Sequence, residues 1–252
     1  MKPELLSANA ITSALAHGYW RVSVVDEIDS TQNYLRTSNT KPGDVITAEY
    51  QSAGKGRLDR TFVAAKSSAL LFSLYLEPKV LAANFGYLTL LTGSTVTKVL
   101  NEVTSSNNFK CKWPNDILIN DHKVAGILAE RKGNGVILGI GINVSTTKAD
   151  LPVNTATSIY LEFDELIDRN ELLAAILNEL APALLAWEAG DDLTCDYRNL
   201  SATLGKSIRV LLPGGNSHEA TAEDIDATGA LLLDDGKVIT VGDVIHLETK
   251  LS

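Results

Sequence analysis

Cysteine and histidine are scarce in this chain of 252 residues, which contains two cysteines and four histidines. Cys111 and Cys195 are far apart, no Cys-x-x-Cys occurs, and the histidines share no ligand spacing. Disulfide frameworks and metal centres in proteins depend on such spacings, so the sequence predicts neither. We expect the two cysteines to be small core residues in a reducing compartment.

Long apolar segments are also missing. No apolar run reaches the roughly 20 residues that a transmembrane helix needs. The N-terminus lacks the cationic segment and apolar core of a secretory signal. We therefore expect a soluble, cytoplasmic protein that does not bind membranes.

Positive charge is the third scarcity: 22 lysines and arginines stand against 31 acidic residues, giving a net charge of −9. An acidic chain is a poor nucleic-acid binder, so no nucleic-acid partner is predicted. The apolar share of 45% is ordinary for a soluble globular protein, and the length allows one large domain and a small one.

One segment departs from this acidic background. Residues 50–62 hold Lys55, Arg57, Arg60 and two glycines, and the apolar runs on both sides predict strands. Glycine lets backbone N–H groups approach a ligand, while lysine and arginine supply charge for phosphate or carboxylate. The spacing of Lys55 and Arg57 predicts side chains that point the same way in an extended loop. A solvated basic surface loop is the alternative, and the segment is not a P-loop because no Gly-Lys-Ser/Thr ends it.

Helical and strand patterns alternate along the first two hundred residues. Apolar spacing predicts helices over residues 4–17, 84–103 and 163–189, and another beginning at Asp29 or Ser30 as its N-cap. Strands are predicted over residues 20–25 and 136–144, and residues 110–130 predict two strands joined by a tight turn at 120–122. Residues 145–158, rich in Ser, Thr, Asp and Pro, predict a second mobile loop.

Composition changes near Leu204. From Lys206 onward, short β-like runs alternate with glycine turns, which predicts a small β-barrel. The predicted architecture is therefore α+β, with a mixed-sheet domain over residues 1–203 and a small C-terminal barrel over residues 204–252.

Several features carry little weight singly. Gly139-Ile-Gly141 lacks the third glycine of a dinucleotide-binding fingerprint, and the segment that follows is a loop containing Pro152 and not a helix. Close packing between strands therefore explains these glycines better than dinucleotide binding does. Lys123 alone reads as a surface lysine at a hairpin edge, and Asn115-Asp116 as turn residues.

Five motifs in a fixed order change this interpretation. They are DSTQ at 29–32, QSAGKGR at 51–57, KWPND at 112–116, KVAGILAE at 123–130 and GIGINV at 139–144. In this order they resemble bacterial biotin protein ligases, and the resemblance covers roughly residues 20–252. It implies a catalytic domain like those of class II synthetases and biotin ligases, followed by an SH3-like barrel. About twenty residues precede the first shared strand, so the chain resembles the monofunctional class that lacks an N-terminal DNA-binding domain.

The resemblance implies a two-step reaction. Biotin's carboxylate attacks the α-phosphorus of ATP, which releases pyrophosphate and leaves biotinyl-5′-AMP. A lysine of a biotin carboxyl carrier domain, from acetyl-CoA carboxylase or a related enzyme, then takes the biotinyl group. Cations must offset the repulsion between the two anions, and Mg²⁺ is expected on the phosphates. A homodimer remains open.

The resemblance also implies roles for individual residues. The catalytic cations are Lys123, Lys55 and Arg57. The biotin-binding set is Ser30, Thr31, Gln32, Gln51, Lys55, Gly56, Arg57 and Lys123. The nucleotide-binding set is Lys55, Arg57, Arg60, Phe62, Asn115 and Asn143.

Four positions depart from the family pattern. Lys55 stands where arginine is usual and loses bidentate geometry. Asp59 replaces a glycine, Phe62 replaces a tryptophan with less stacking area, and Gln32 stands where asparagine is common. These departures bear on loop kinetics and nucleotide affinity more than on the reaction.

Two other functions stay open. A lipoate ligase would share the fold, although the complete Gly-Lys-Gly-Arg loop and the C-terminal barrel weigh against it. A non-catalytic biotin or nucleotide sensor would need a partner-binding domain, and the intact Lys55, Arg57 and Lys123 argue for catalysis.

Overall fold

The computed structural model describes residues 4–58 and 60–247. Asp59, one of the four departures, therefore lies outside the described residues, as do the last five residues of the predicted barrel domain. The described chain forms two β-sheets, one mixed with seven strands and one antiparallel with five.

The seven-stranded sheet carries the helices. In spatial order its strands are β1 (Arg21–Ile28), β2 (Asp44–Gln51), β3 (Ala69–Leu76), β7 (Gly135–Asn143), β6 (His122–Lys132), β5 (Asp116–Ile119) and β4 (Phe109–Lys112). β1 and β2 are parallel, and the remaining neighbours are antiparallel. β3 and β7 are buried on nearly every residue, which is why both read as continuous apolar runs in the sequence.

Helices cover both faces of this sheet. They are α1 (Ala8–Ser13), α2 (Thr31–Thr37), α3 (Tyr87–Val103), α4 (Ile159–Phe163), α5 (Arg169–Glu188) and α6 (Thr194–Leu200), with a 3₁₀ turn at Ala82–Gly86 before α3. Leu138 belongs to the large core with α3 and α5, whereas Ile137 packs with Leu35 of α2. Because successive strand residues point to opposite faces, α2 lies on the face opposite α3 and α5. None of the described helices is long and apolar enough to cross a membrane.

The C-terminal strands form the small sheet. They are β8 (Ser207–Leu211), β9 (Ser217–Ile225), β10 (Leu231–Leu233), β11 (Val238–Ile239) and β12 (Asp243–His246), in the spatial order β11-β10-β9-β8-β12. Trp113 Nε1 donates to Gly229 O at 3.0 Å and joins this unit to the larger sheet. The predicted α+β class with a small β-rich C-terminal unit is confirmed, and the division at residue 203 stays a prediction.

Several elements differ from the predicted ones. The first helix covers Ala8–Ser13 and not 4–17. The helix expected over 163–189 begins only at Arg169 as α5, because Phe163 ends the separate helix α4 and Asp164 follows it in the left-handed conformation (φ 55°). α6 was not predicted at all: it has seven residues, too few for a clear helical period.

Residues 110–130 contain three strands where two were predicted. β4 ends before Trp113-Pro114, since proline has no N–H to continue the ladder. The turn predicted at 120–122 is confirmed between β5 and β6, where Asn120 and Asp121 both have positive φ. The basic segment is confirmed as a loop between β2 and β3.

Candidate active site

A cavity of about 360 Å³ opens on the sheet face that α2 covers at one end. β3, β6 and β7 form its wall through Ser73, Leu128 and Gly139, among others. The basic loop closes one side, and Asp243 of β12 reaches it from the small sheet. The cavity therefore lies where the larger sheet, the loop and the C-terminal unit meet.

Polar side chains occupy the end of the cavity next to α2. Thr31 donates from both its backbone N and its Oγ1 to Gln51 Oε1, at 2.7 and 2.9 Å. Its hydroxyl also lies 2.8 Å from Ser73 Oγ, which lies 3.2 Å from Gln32 Oε1. Ser30 is the N-cap of α2, yet within the described chain its side chain makes no capping hydrogen bond. Hydroxyls and amides therefore face this part of the cavity.

Two glycines of β7 give room to side chains lying over the sheet. A Cβ at Gly139 would come within 2.4 Å of Gln32 Oε1, and one at Gly141 within 2.7 Å of the Phe62 ring. These glycines thus admit side chains that line the cavity, which refines the predicted reason for them. Gln32 belongs to α2 and Phe62 to the basic segment, so different parts of the chain line the two ends of the cavity.

Four cations around the cavity each bind an oxygen. Lys55 Nζ donates to Asn33 Oδ1 at 2.5 Å, and Lys123 Nζ lies 2.6 Å from Asp116 Oδ1. Arg57 donates to Asn115 Oδ1 at 3.0 Å and to Asp243 Oδ1 at 3.2 Å. Arg60 donates to the other oxygen of Asp243 at 2.5 Å.

Lys55 and Arg57 do not point the same way, so the expectation from their spacing is wrong. Lys55 is directed to the α2 side and Arg57 to the small sheet. The loop that carries them is not a regular strand, because Leu58 has positive φ and Gly56 N donates to Arg60 O at 2.7 Å. Burial lowers the pKa of Arg57, and the nearby Asp243 carboxylate opposes that effect.

Lys112 is a fifth cation at this cavity, and the predicted site residues did not include it. It ends β4, opposite Asp116 in the β4–β5 pair. Among residues 4–58 and 60–247 its ammonium has no hydrogen-bond or ion-pair partner. Burial lowers the pKa of Lys112; Asp116 opposes this and the Lys123 ammonium reinforces it. The cavity thus carries a positive charge that an anionic ligand can pair with.

The structure brings together nearly all the predicted site residues. Those that line the cavity are Ser30, Thr31, Gln32, Gln51, Lys55, Gly56, Arg57, Arg60, Phe62, Asn115 and Lys123. Asn143, also in the described part of the chain, does not line it and instead donates to Thr157 O at 2.9 Å. Ser73, Lys112 and Asp243 line it without having been predicted. Of these three, only Lys112 had a sequence signal, the KWPND motif.

The second predicted loop, residues 145–158, is attached to Lys123 through its backbone. Lys123 N donates to Thr155 O and Thr157 N donates to Lys123 O, both at 2.8 Å. Ser158 Oγ donates to Thr146 O at 2.7 Å and closes the loop on itself. The loop therefore helps to hold the strand that carries Lys123, and its mobility stays a prediction.

The mixed sheet carries a cavity lined by five cations, and the small antiparallel unit contributes Asp243 to it. Residues 24–146 match the model of the Biotin/lipoate A/B protein ligase family, and residues 203–247 match the Biotin protein ligase C terminal domain. The match of residues 203–247 includes all of β8 to β12.

Known proteins narrow this class. The chain is 34% identical to the biotin--[acetyl-CoA-carboxylase] ligase of Mycobacterium tuberculosis, covering 91% of this chain and 90% of that one. It is 31% identical to the bifunctional ligase/repressor BirA of Salmonella typhimurium, over 94% of this chain and 76% of BirA. The biotin protein ligase of Aquifex aeolicus, solved with biotin and ATP, superposes with a TM-score of 0.80 at 28% identity, over 90% of this chain and 99% of that one. The chain belongs to the biotin protein ligase family.

Proposed function

We propose that this protein is an ATP-dependent biotin–protein ligase, and that the cavity beside the basic loop is its active site. The reaction activates biotin as biotinyl-5′-AMP and then transfers the biotinyl group to a lysine of a biotin carboxyl carrier domain. The proposal depends on one observation: a single cavity is lined by amides and hydroxyls at one end and also by the cations Arg57, Lys112 and Lys123.

In the first step a biotin carboxylate oxygen attacks the α-phosphorus of ATP, and the bond to the β-phosphate oxygen breaks. Two anions approach each other in this step, so fixed cations lower its barrier. Lys123 of β6 and Arg57 of the basic loop both line the cavity. We assign them to the biotin carboxylate and the α-phosphate, where each would exchange its carboxylate partner for substrate oxygens.

Each end of the cavity suits one substrate. Ser30, Thr31, Gln32 and Gln51 present the donors and acceptors that a cyclic urea requires. Phe62 lies flat over Gly141 near the basic loop, where an aromatic face can stack on adenine. Biotin therefore extends from α2 towards Lys123, and ATP from Lys123 towards the loop.

Magnesium is proposed to enter with ATP as part of the substrate. Among residues 4–58 and 60–247, no group of three or more histidine, cysteine or acidic side chains is arranged to hold a metal ion. Asp116 and Asp243, the acidic residues at the cavity, are both engaged by cations. The triphosphate would thus supply the main ligands of the ion.

In the second step the amine of the carrier lysine attacks the carbonyl carbon of biotinyl-AMP, AMP leaves, and the nitrogen loses its extra proton. A second cavity of about 600 Å³ adjoins the first and shares Arg57 and Asn115 with it. It lies between β6, the 3₁₀ turn and the small sheet. We assign this opening to the incoming lysine, because it shares Arg57 and Asn115 with the first cavity and is lined by none of Ser30, Thr31, Gln32 and Gln51.

The test measures exchange of labelled pyrophosphate into ATP in the presence of biotin, of lipoate, or of neither. We expect exchange with biotin and none with lipoate. We also expect transfer of one biotinyl group to an added carrier domain, measured by intact mass and peptide mapping. A carrier whose acceptor lysine is changed to arginine is the control. Exchange that depends on lipoate, or biotin binding without exchange, would contradict the proposed reaction.

A further inference from the structure

Lys112 differs from the other charged groups at the cavity because its ammonium is not engaged. Lys123 binds Asp116 at 2.6 Å, and Arg57 binds Asp243 at 3.2 Å. Within the described residues, Lys112 has no hydrogen-bond or ion-pair partner, although it lines the same cavity. An ammonium without a partner can bind an anion and release no other group first.

The register of four strands places Lys112 relative to Lys123. Gly141 of β7 lies opposite Gly126 of β6, Gly126 lies opposite Asp116 of β5, and Asp116 lies opposite Lys112 of β4. Residues directly opposite each other point to the same face of a sheet. A Cβ at Gly126 would lie 3.2 Å from Lys123 Nζ, so that ammonium lies over Gly126. Lys112 is therefore two strand spacings, roughly 10 Å, beyond this point on the cavity face.

This row of residues leads away from the end of the cavity next to α2. That helix packs against β2, β3 and β7, whereas β4 is the outermost strand on the other side of the sheet. In the proposed function biotin extends from α2 and its carboxylate meets Lys123. The attacking and leaving oxygens lie roughly in line on opposite sides of the α-phosphorus. The leaving oxygen and the β-phosphate therefore lie on the side of Asp116 and Lys112.

We infer that Lys112 is a further catalytic residue, which binds the β- and γ-phosphates of ATP and neutralises the pyrophosphate as it leaves. The inference rests on the proposed function. When the bond between the α-phosphorus and the bridging oxygen breaks, that oxygen keeps the electron pair and becomes part of pyrophosphate. A cation already fixed where this charge develops lowers the barrier, because nothing has to reorganise during the step.

Positive charge continues from Lys112 along the junction of the two sheets. The charges of Lys112 and Lys206 both add to the effect of burial in lowering the pKa of His246, so these three side chains lie near one another. The Lys206 side chain is 43% exposed and lies 3.6 Å from Asp121, which is itself 80% exposed. The junction thus offers the released pyrophosphate a second cation on its way to solvent.

The test follows two fates of one enzyme-bound intermediate. The enzyme is loaded with biotinyl-AMP and then given either pyrophosphate with magnesium, which reverses the first step to ATP and biotin, or a carrier domain, which completes the second step. Lys112→Gln removes the charge. We expect the pyrophosphate concentration for half-maximal reversal to rise about 10- to 100-fold, since a charge-assisted hydrogen bond is lost. The rate of transfer to the carrier should stay at the wild-type value.

Two further variants make the comparison specific to this ammonium. Lys112→Arg keeps the charge and should restore most of the affinity for pyrophosphate. Lys110→Gln is the matched control, because Lys110 lies two residues earlier on β4, faces the same side, is partly buried as well, and lines neither of the two cavities. It should match the wild type in both reactions.

Equal losses of reversal and transfer in Lys112→Gln would assign Lys112 to the adenylate or to the fold, and unchanged reversal would remove it from the reaction; both results overturn the inference. If Lys112→Gln does not fold, the wild type decides. Pyrophosphate should protect Lys112 but not Lys110 from acetylation by acetic anhydride, mapped by mass spectrometry, and equal modification would overturn the inference. A wild type that makes no ATP from biotinyl-AMP and pyrophosphate would instead contradict the proposed function.

Discussion

Arg57 of the basic loop donates to the carboxylate of Asp243, which lies 186 residues later in the chain, at 3.2 Å. A second Arg57 nitrogen donates to Gly242 O at 3.1 Å, and Arg60 binds the other carboxylate oxygen. The Arg57 and Asp243 side chains are 19% and 18% exposed. One carboxylate of the small sheet therefore holds two cations of the loop beside the cavity.

Asp243→Asn should release the loop, because the change removes the charge but keeps the shape of the side chain. Hydrogen bonds to charged groups contribute about 1.5–3 kcal/mol each, so amide exchange over residues 52–58 and 60–66 should accelerate about tenfold or more in the free protein. Hydrogen exchange with mass spectrometry gives the measurement. The control is Asp235→Asn, which removes a carboxylate that binds His218 in the same unit. Equal exchange in the wild type and Asp243→Asn would mean that the loop is ordered without this contact.

Lys123→Ala should abolish most adenylate formation while the protein stays folded. Removal of one fixed charge that stabilises a transition state typically costs about 2.7–4 kcal/mol, or 10²- to 10³-fold in rate. The measurement is the rate of biotin-dependent pyrophosphate exchange, with circular dichroism as the folding check. Lys148→Ala, which changes an exposed lysine of the 145–158 loop, serves as the control. Exchange near the wild-type rate in Lys123→Ala would remove this residue from the proposed catalytic set.

Two glycines of β7 allow the two ends of the cavity to be tested separately. Gly139→Ala places a methyl group against Gln32, and Gly141→Ala places one against the Phe62 ring. Overpacking of this kind costs typically 1–3 kcal/mol unless the neighbour moves. We expect Gly139→Ala to raise the KM for biotin and Gly141→Ala to raise the KM for ATP, each about tenfold.

Each of these variants is the control for the other, because the residues are two positions apart on one strand and face the same side. Steady-state kinetics with each substrate varied in turn gives the comparison. If both variants raise the same KM, the assignment of Gln32 to biotin and Phe62 to the nucleotide is wrong.

His246 should make stability depend on pH. Its pKa is lowered from 6.5 to about 4, first by burial and then by Lys112 and Lys206. Between these two values the unfolded chain binds a proton that the folded protein does not, so the free energy of unfolding falls as pH drops from 6.5 to 4. Urea unfolding at several pH values measures this slope. His246→Gln should flatten it, and a slope equal to that of the wild type in this variant would exclude His246 as the source.

The sequence by itself determined the elements whose cause is local. Turn chemistry predicted the Asn120-Asp121 hairpin, apolar runs predicted β3 and β7, and glycines with cations predicted the loop between β2 and β3. The order of the five motifs also led to the family and to a set of site residues, of which all but Asn143 line one cavity. The turn, the strands and the loop depend on neighbours in the chain, so periodicity and spacing carry them, whereas the site residues were implied by the family resemblance.

The tertiary structure alone decided which groups meet across the cavity. Lys55 and Arg57 are two residues apart yet bind Asn33 and Asp243, on opposite sides of the site. Ser73 sits in an otherwise apolar strand, and its hydroxyl meets polar groups because α2 brings Thr31 and Gln32 against it. Hydrogen bonds act over about 3 Å between atoms that are up to 186 residues apart in this chain, so no local pattern encodes them.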